Sequence, residues 1–108
     1  MYIRGGYNVY PGEVERVLSE HPDVAQVAVL GAPDRVLGEI GVAFVVPAAV
    51  SEGGASPALG ELRTFCRNAL ADYKTPDRLV VVDALPLTSV GKVDKRALAE
   101  DAARAADG

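Results

Sequence analysis

The run Val24-Ala25-Gln26-Val27-Ala28-Val29-Leu30 decides the fold, because it is rich in valine and nearly continuously apolar. A short run of this kind, followed by the turn residues Gly31-Ala32-Pro33-Asp34, predicts a β-strand. Residues 42–46 and 79–82 show the same pattern. Consecutive apolar residues point to both faces of a sheet, so we expect strands that are buried on both sides.

Two amphipathic helices accompany these strands. The first opens at Pro11, where a missing N–H costs nothing, and it ends at His21-Pro22. The second opens at Ser56-Pro57 and carries one apolar stripe, formed by Leu59, Leu62, Phe65, Cys66, Ala69 and Leu70. We expect Asp94 to cap a final helix that runs from residue 95 to about residue 104.

The N-terminal residues 2–10 alternate weakly around Gly5-Gly6, which predicts a hairpin of two short strands. Residues 47–56 are small, polar and rich in glycine, which indicates a surface loop. Together these elements predict an α+β fold. Its architecture is expected to be a two-layer α/β sandwich, with a small three-stranded sheet, flanking helices and the N-terminal β-hairpin.

Composition limits the classes of function that this chain can have. Its 108 residues predict a single domain over residues 1–108. A net charge of −4 argues against nucleic-acid binding, which depends on many Lys and Arg contacts to phosphate. One cysteine excludes an internal disulfide and is typical of a reducing cytoplasm. No apolar run approaches the roughly 20 residues of a membrane-spanning helix, so we expect a cytoplasmic protein.

A lysine follows a glycine within the stretch Pro86-Leu87-Thr88-Ser89-Val90-Gly91-Lys92-Val93-Asp94-Lys95-Arg96. The stretch lies between a predicted strand and a predicted helix, so it forms a loop. A lysine on such a loop can be inserted into another surface, where its compact charge suits nucleotide phosphates. By contrast, His21 has no carboxylate or cysteine at a suitable spacing and is expected at the surface. Cys66 lies on the apolar stripe and is expected in the core.

Four motifs in order resemble the small C-terminal domain of the AMP-forming acyl-CoA synthetases, the adenylate-forming ligases. The opening motif is Arg4-Gly5-Gly6-Tyr7-Asn8-Val9-Tyr10-Pro11-Gly12-Glu13-Val14-Glu15. The middle motifs are Gly31-Ala32-Pro33-Asp34 with Gly38-Glu39, and Tyr73-Lys74-Thr75-Pro76. The closing motif is the lysine stretch quoted above. The bare glycine-rich opening is more similar to acyl-CoA ligases than to adenylation domains of peptide synthetases. Among the acyl-CoA ligases, a fatty-acid–CoA ligase is the expected enzyme.

The resemblance implies that the chain is the mobile C-terminal domain of a larger enzyme whose large N-terminal domain is absent from this sequence. That large domain would bind the carboxylic acid and ATP with its magnesium, while CoA would be the second substrate. None of these would bind tightly to the present chain, which is expected to be inactive alone. Its own large domain would be its partner. An isolated copy would expose the apolar rim that faces this domain and would be able to dimerise.

The resemblance also assigns roles to single residues. Lys92 matches the catalytic lysine, which would orient carboxylate and phosphate oxygens while the acyl-adenylate forms. Gly91 and Thr88 would support its loop. After rotation of the domain, the hairpin would face the CoA thiol, with close backbone approach at Gly5 and Gly6. The remaining residues expected to face CoA are Tyr7, Asn8, Arg67 and Lys74. No metal ligand is expected in this chain.

Two other interpretations stay open on the sequence alone. The chain would also suit a free-standing, non-catalytic module that binds a partner protein or supplies its lysine in trans. It would equally suit the same domain of an adenylation enzyme that loads a carrier protein.

Overall fold

The computed structural model describes residues 1–48 and 57–107. Five strands and three α-helices occur in these residues. The strands are β1 (Tyr2–Arg4), β2 (Tyr7–Val9), β3 (Val24–Asp34), β4 (Gly38–Pro47) and β5 (Arg78–Val81). The helices are α1 (Pro11–Leu18), α2 (Leu59–Arg67) and α3 (Lys95–Asp107), and a short 3₁₀ helix covers Asp72–Lys74. The predicted α+β class is confirmed.

One sheet is built around β4. Strands β3 and β4 form a long antiparallel pair that runs from Val24 opposite Pro47 to Asp34 opposite Gly38. On the other edge of β4, β5 pairs in parallel and β1 pairs in antiparallel fashion through Arg4 and Gly38 alone. The N-terminal hairpin therefore extends the three predicted strands to a five-stranded mixed sheet.

The predicted number of layers is wrong, because helices cover both faces of the sheet. Side chains alternate along the strands, so β3, β4 and β5 contribute to two separate cores. The core on the face of α1 and α2 contains Tyr2, Val9, Val14, Val17, Leu18, Val24, Val29, Ala43, Val45, Leu62 and Cys66. The core on the face of α3 contains Ala28, Leu30, Ala32, Ile40, Val42, Phe44, Leu85, Leu98, Ala102 and Ala106. The domain thus has three layers.

Residues 31–34 form part of β3 and not the predicted turn. The chain reverses three residues later, where the Asp34 carboxylate accepts the backbone N–H groups of Val36 and Leu37. Glycine occurs at 31 for another reason. Gly31 and Gly41 face each other across β3 and β4, and the Tyr2 side chain lies against both. A Cβ atom at Gly31 would lie 2.4 Å from Tyr2 Cβ.

The ends of the helices differ from the prediction by a few residues. Helix α1 ends at Leu18, before His21-Pro22. Helix α2 begins at Leu59 with Ala58 as its N-cap, so Pro57 precedes it, and Ser56 and most of the predicted 47–56 loop lie outside the described residues. The same helix ends at Arg67, which leaves Ala69 exposed beyond the apolar stripe. Helix α3 extends to Asp107, because its small residues Ala102 and Ala106 are buried against the sheet.

The predictions for Cys66 and His21 have different outcomes. Cys66 is buried as predicted, and burial raises the pKa of its thiol. The prediction for His21 is wrong, because only 8% of its surface is exposed. Its ring packs edge-on against Phe65, and its Nε2 lies 2.8 Å from Glu61 Oε2. The packing of α1 against α2 brings together these groups, which are forty residues apart in sequence.

The Tyr2 hydroxyl is buried and has no hydrogen-bond partner among the described residues. Burial also raises the pKa of this group, because the charged form would lie in an apolar environment. We expect Tyr2→Phe to raise the free energy of unfolding by about 1 kcal/mol, since it removes an unsatisfied buried polar group and keeps the ring. Urea unfolding of both chains measures this difference. A loss of about 1 kcal/mol would instead show that the hydroxyl is hydrogen-bonded in solution.

Candidate functional site

The lysine stretch forms a tight hairpin that presents Lys92 to solvent. Thr88 and Lys92 pair through a hydrogen bond of 2.7 Å from Thr88 N–H to Lys92 O. Gly91 closes the three-residue turn between them, and its φ of +84° is the left-handed geometry that such a turn requires. The Thr88 hydroxyl also accepts the Lys92 N–H at 3.3 Å. Thr88 and Gly91 therefore fix the backbone of Lys92, whose side chain stays exposed.

The base of this loop is attached to the rest of the domain at several points. Asp94 N–H donates to Pro86 O across the base, and the Asp94 carboxylate caps α3 as predicted. Lys95 Nζ lies 2.8 Å from Glu15 Oε2 on α1. The same oxygen accepts the outward N–H of Val29 on β3. No spacing in the sequence indicates this contact, because Glu15, Val29 and Lys95 meet only once both helices pack on the sheet.

A second predicted site surrounds the turn of the N-terminal hairpin. Gly5 and Gly6 form a two-residue turn in which both have positive φ, +56° and +87°. Gly5 N–H donates to Leu37 O at 2.8 Å, so the turn lies beside the β3–β4 reversal. A Cβ atom at Gly6 would meet no atom within 4 Å among the described residues. The backbone of Gly6 is therefore open to an approaching ligand.

The side chains next to this turn form an exposed aromatic surface. Tyr7 is 59% exposed and stacks on Tyr73, with ring centroids 4.6 Å apart. Asn8 is also exposed. Lys74 Nζ lies 5.8 Å from the centre of the Tyr73 ring and 2.8 Å from Glu13 Oε1. The hydrogen bond to Glu13 raises the pKa of Lys74, which therefore stays a cation at neutral pH.

Arg67 lies further along the same side of the domain, at the end of α2. It is exposed, and its Nε donates to Asp72 Oδ1. This hydrogen bond lowers the pKa of Asp72. A phosphate group that binds Arg67 would have to share it with this carboxylate.

A buried carboxylate that the sequence analysis missed lies beneath the hairpin. Asp77, only 9% exposed, accepts two hydrogen bonds from Arg4 Nε, of 3.2 and 3.0 Å, and one of 2.7 Å from Arg4 Nη2. Its Oδ2 also accepts the Gly41 N–H at 3.0 Å. Arg63 Nη1 lies 3.8 Å from Oδ1 and donates to Pro76 O. No spacing in the sequence pairs residues 4 and 77, so this cluster emerges only from the fold.

The lysine loop and the hairpin turn lie at opposite ends of β4. The hairpin joins β4 at Gly38, whereas β5 leaves it at Val45, seven residues further along the strand. This separation is roughly 23 Å at about 3.3 Å per residue. A groove of about 710 Å³ opens beside the lysine loop at the second end, between α1, the start of β3 and residues 83–93. The two predicted sites are thus distinct surfaces of the domain.

Within the described part of the chain, His21, Asp23 and Glu61 form a group with atoms close enough to share a metal ion. Both ring nitrogens already have protein partners. Nδ1 accepts the Asp23 N–H at 3.1 Å, which places the proton of a neutral ring on Nε2, facing Glu61. The group is therefore explained as a hydrogen-bonded link between α1 and α2.

In residues 1–48 and 57–107, none of the helices combines the length and the apolar character that crossing a membrane demands.

Residues 13–92 match the family described as the AMP-binding enzyme C-terminal domain. This match covers well over half of the chain and includes Lys92 and its loop. The chain belongs to this family, the C-terminal domains of adenylate-forming CoA ligases and related enzymes.

The proteins that this chain resembles are named for different acids or reactions. The chain is 46% identical over 101 residues to a medium/long-chain-fatty-acid–CoA ligase of Mycobacterium tuberculosis, covering 91% of this chain and 18% of the ligase. It is 45% identical over 98 residues to a 2-succinylbenzoate–CoA ligase of Geobacillus kaustophilus, covering 91% and 19%. The amide bond synthetase McbA of Marinactinospora thermotolerans has a similar structure, with a TM-score of 0.83, 43% identity and coverage of 91% and 19%. The chain thus spans about a fifth of the length of these relatives.

Proposed function

We propose that this chain is the mobile C-terminal domain of an ATP-dependent, AMP-forming acyl-CoA ligase. The observation that carries the proposal is the exposed Lys92, held on a tight hairpin inside the region that matches the family. In this proposal the chain takes part in acid–thiol ligation and is inactive alone. Its partner is the large domain that corresponds to the remaining four-fifths of the relatives.

In the proposed first half-reaction, Lys92 contributes its positive charge to adenylate formation. A carboxylate oxygen attacks the α-phosphorus of ATP, the bond to pyrophosphate breaks, and negative charge accumulates around the phosphorus. A preplaced ammonium lowers this barrier most effectively where water is excluded. Lys92 is exposed in the isolated domain, so the large domain has to supply the enclosing walls. The groove beside its loop, lined by both apolar and charged side chains, offers a surface for that contact.

In the proposed second half-reaction, the hairpin turn faces the active site. The CoA thiol attacks the acyl carbon of the adenylate, a thioester bond forms, and AMP leaves. The open backbone at Gly6 allows the thiol arm of CoA to pass close to the chain. The exposed Tyr7 and Asn8 lie beside this passage, and Lys74 and Arg67 offer charge to the CoA phosphates. The separation of the two sites along β4 supports their use in turn, through rotation of the domain.

The acid is the least defined part of the proposal. The M. tuberculosis relative is named for medium- and long-chain fatty acids, which supports a fatty acid, whereas the G. kaustophilus relative is named for an aromatic acid. In the proposed enzyme the acid pocket and the magnesium of ATP belong to the large domain. We propose a cytoplasmic enzyme, since its substrates ATP and CoA are cytoplasmic metabolites.

Gly6→Leu tests whether the hairpin acts only in the second half-reaction. In the full-length polypeptide that contains this chain, we expect adenylate formation to stay within about twofold and thioester formation to fall at least tenfold, since the side chain blocks the approach of CoA. Acid-dependent ATP–pyrophosphate exchange measures the first step. Release of AMP from preformed adenylate after addition of CoA measures the second.

The positive φ of Gly6 requires a control for strain. Asparagine tolerates this backbone geometry better than leucine, so Gly6→Asn adds a side chain with less distortion of the turn. We expect Gly6→Asn to lose thioester formation as well, with a smaller fall in melting temperature. Equal losses in both half-reactions would contradict separate roles for the two sites.

A further inference from the structure

The hairpin that carries the predicted CoA-facing turn has little backbone support from the sheet. Strand β1 pairs with β4 at one position, Arg4 opposite Gly38, and β2 pairs with β1 alone. Further polar contacts of β1 are Gly5 N–H to Leu37 O and Ile3 N–H to Glu39 Oε1. With so few backbone hydrogen bonds, the angle between the hairpin and the sheet depends on side chains. Tyr2 and Val9 are buried in the core, and Arg4 is bound to Asp77 next to the turn.

We propose that Asp77 is a positioning residue for thioester formation. By binding the Arg4 guanidinium, it fixes the angle between the hairpin and the sheet, and with it the position of the Gly5-Gly6 turn. This inference rests on the function proposed above for the turn. Arg4 directly precedes Gly5, so a displacement of the Arg4 backbone, which its bound side chain restricts, would move the turn. Neither Arg4 nor Asp77 has to touch a substrate for this role.

The geometry of the Arg4–Asp77 pair restricts the orientation of the two groups as well as holding them together. The Arg4 fork meets both carboxylate oxygens through two different nitrogens, and a planar fork of this kind fixes orientation as well as distance. The hydrogen bond to Asp77 raises the pKa of Arg4, so Arg4 stays charged. Asp77 in turn is held by Gly41 N–H and by its own N–H, which donates to Gly41 O at 2.8 Å. The anchor of the hairpin is therefore the middle of β4, the most buried strand of the sheet.

Asp77→Asn gives the sharpest test in the full-length polypeptide. The amide keeps the shape of the side chain but turns one acceptor into a donor that faces Arg4 or Gly41. We expect thioester formation to fall at least tenfold through kcat, with adenylate formation within about twofold. Arg4→Lys keeps the positive charge but loses the planar guanidinium that donates through two nitrogens. We expect it to retain more thioester formation than Arg4→Gln. In both variants Arg63 Nη1 still lies 3.8 Å from Asp77 Oδ1, so a positive charge remains beside this carboxylate.

The matched control is Arg104→Gln, which removes an exposed arginine–aspartate pair of α3 and should leave both half-reactions unchanged. Amide NMR spectra of the 108-residue chain give an independent readout, because Asp77→Asn should shift the Gly5 and Gly6 signals and spare α3.

Equal losses in both half-reactions, or unchanged thioester formation, would overturn the positioning role. If the unsubstituted polypeptide forms no thioester, the proposed function fails instead. If Asp77→Asn does not fold, Arg4→Gln against Arg4→Lys decides the question.

Discussion

Gly31→Ala is expected to destabilise the domain by about 3 kcal/mol or more, which is a large part of the 5–15 kcal/mol that typically stabilises a small domain. The added methyl would lie 2.4 Å from Tyr2 Cβ and 2.6 Å from Tyr2 Cγ. Both atoms are close to the backbone of β1, so no rotamer of Tyr2 removes the clash. Strand β1 would have to move away from the sheet, and the buried ring would move with it. Urea unfolding followed by circular dichroism measures the loss.

Gly60→Ala is the matched control for this substitution. Gly60 lies in the first turn of α2, and a Cβ atom there would meet no atom within 4 Å among the described residues. The same chemical change should raise the free energy of unfolding by about 0.5 kcal/mol, because alanine favours the helix. A Gly31→Ala chain within 1 kcal/mol of the original would show that β1 and Tyr2 adapt freely, contrary to the close contact seen here.

Lys92→Ala is expected to reduce adenylate formation about 100-fold to 1,000-fold in the full-length polypeptide, the usual effect of removing one preorganised charge from a reacting centre. Acid-dependent ATP–pyrophosphate exchange measures this step. The stability of the domain should change by less than about 0.5 kcal/mol, because the side chain is exposed and its backbone hydrogen bonds remain. Loss of activity without loss of stability would separate a catalytic role from a structural one.

The control for Lys92 is its exposed neighbour Arg96, in the first turn of α3. Arg96→Ala removes a positive charge near the same loop and should lower the exchange rate less than about threefold, since a charge that is not placed at the phosphorus is screened by solvent. Comparable losses in both variants would indicate a general electrostatic effect and contradict the specific role of Lys92.

Local patterns in the sequence predicted the elements of this domain more reliably than their assembly. The valine-rich runs became β3 and β4, and Asp94 caps α3, because these features depend on neighbouring residues. The Gly31 turn was wrong because the glycine accommodates Tyr2, a residue twenty-nine positions earlier in the chain. The positions of residues that contact distant parts of the chain could not be predicted from their neighbours in sequence.

In the candidate site, too, local features were predicted and contacts between distant residues were not. Motifs predicted the loop that carries Lys92 and the turn at Gly5-Gly6, since a turn is a local structure with its own residue requirements. The roles proposed for these residues stay predictions. The link between Arg4 and Asp77 and the burial of His21 were not found, because each joins elements far apart in sequence. The number of layers was missed for a related reason: the alanine-rich α3 shows a weak apolar face in sequence and is nevertheless packed against the sheet.

The contact of Glu15 with Val29 also affects how the domain behaves in a crowded solution. Strand β3 is an edge of the sheet, and an edge strand offers its free N–H and C=O groups to any other extended chain. The Glu15 carboxylate already accepts one of those N–H groups, and Lys95 places a charge beside it. A second chain could add to the sheet only after displacing this ion pair. The ion pair of Glu15 and Lys95 therefore also protects the domain from joining edge to edge with its own copies.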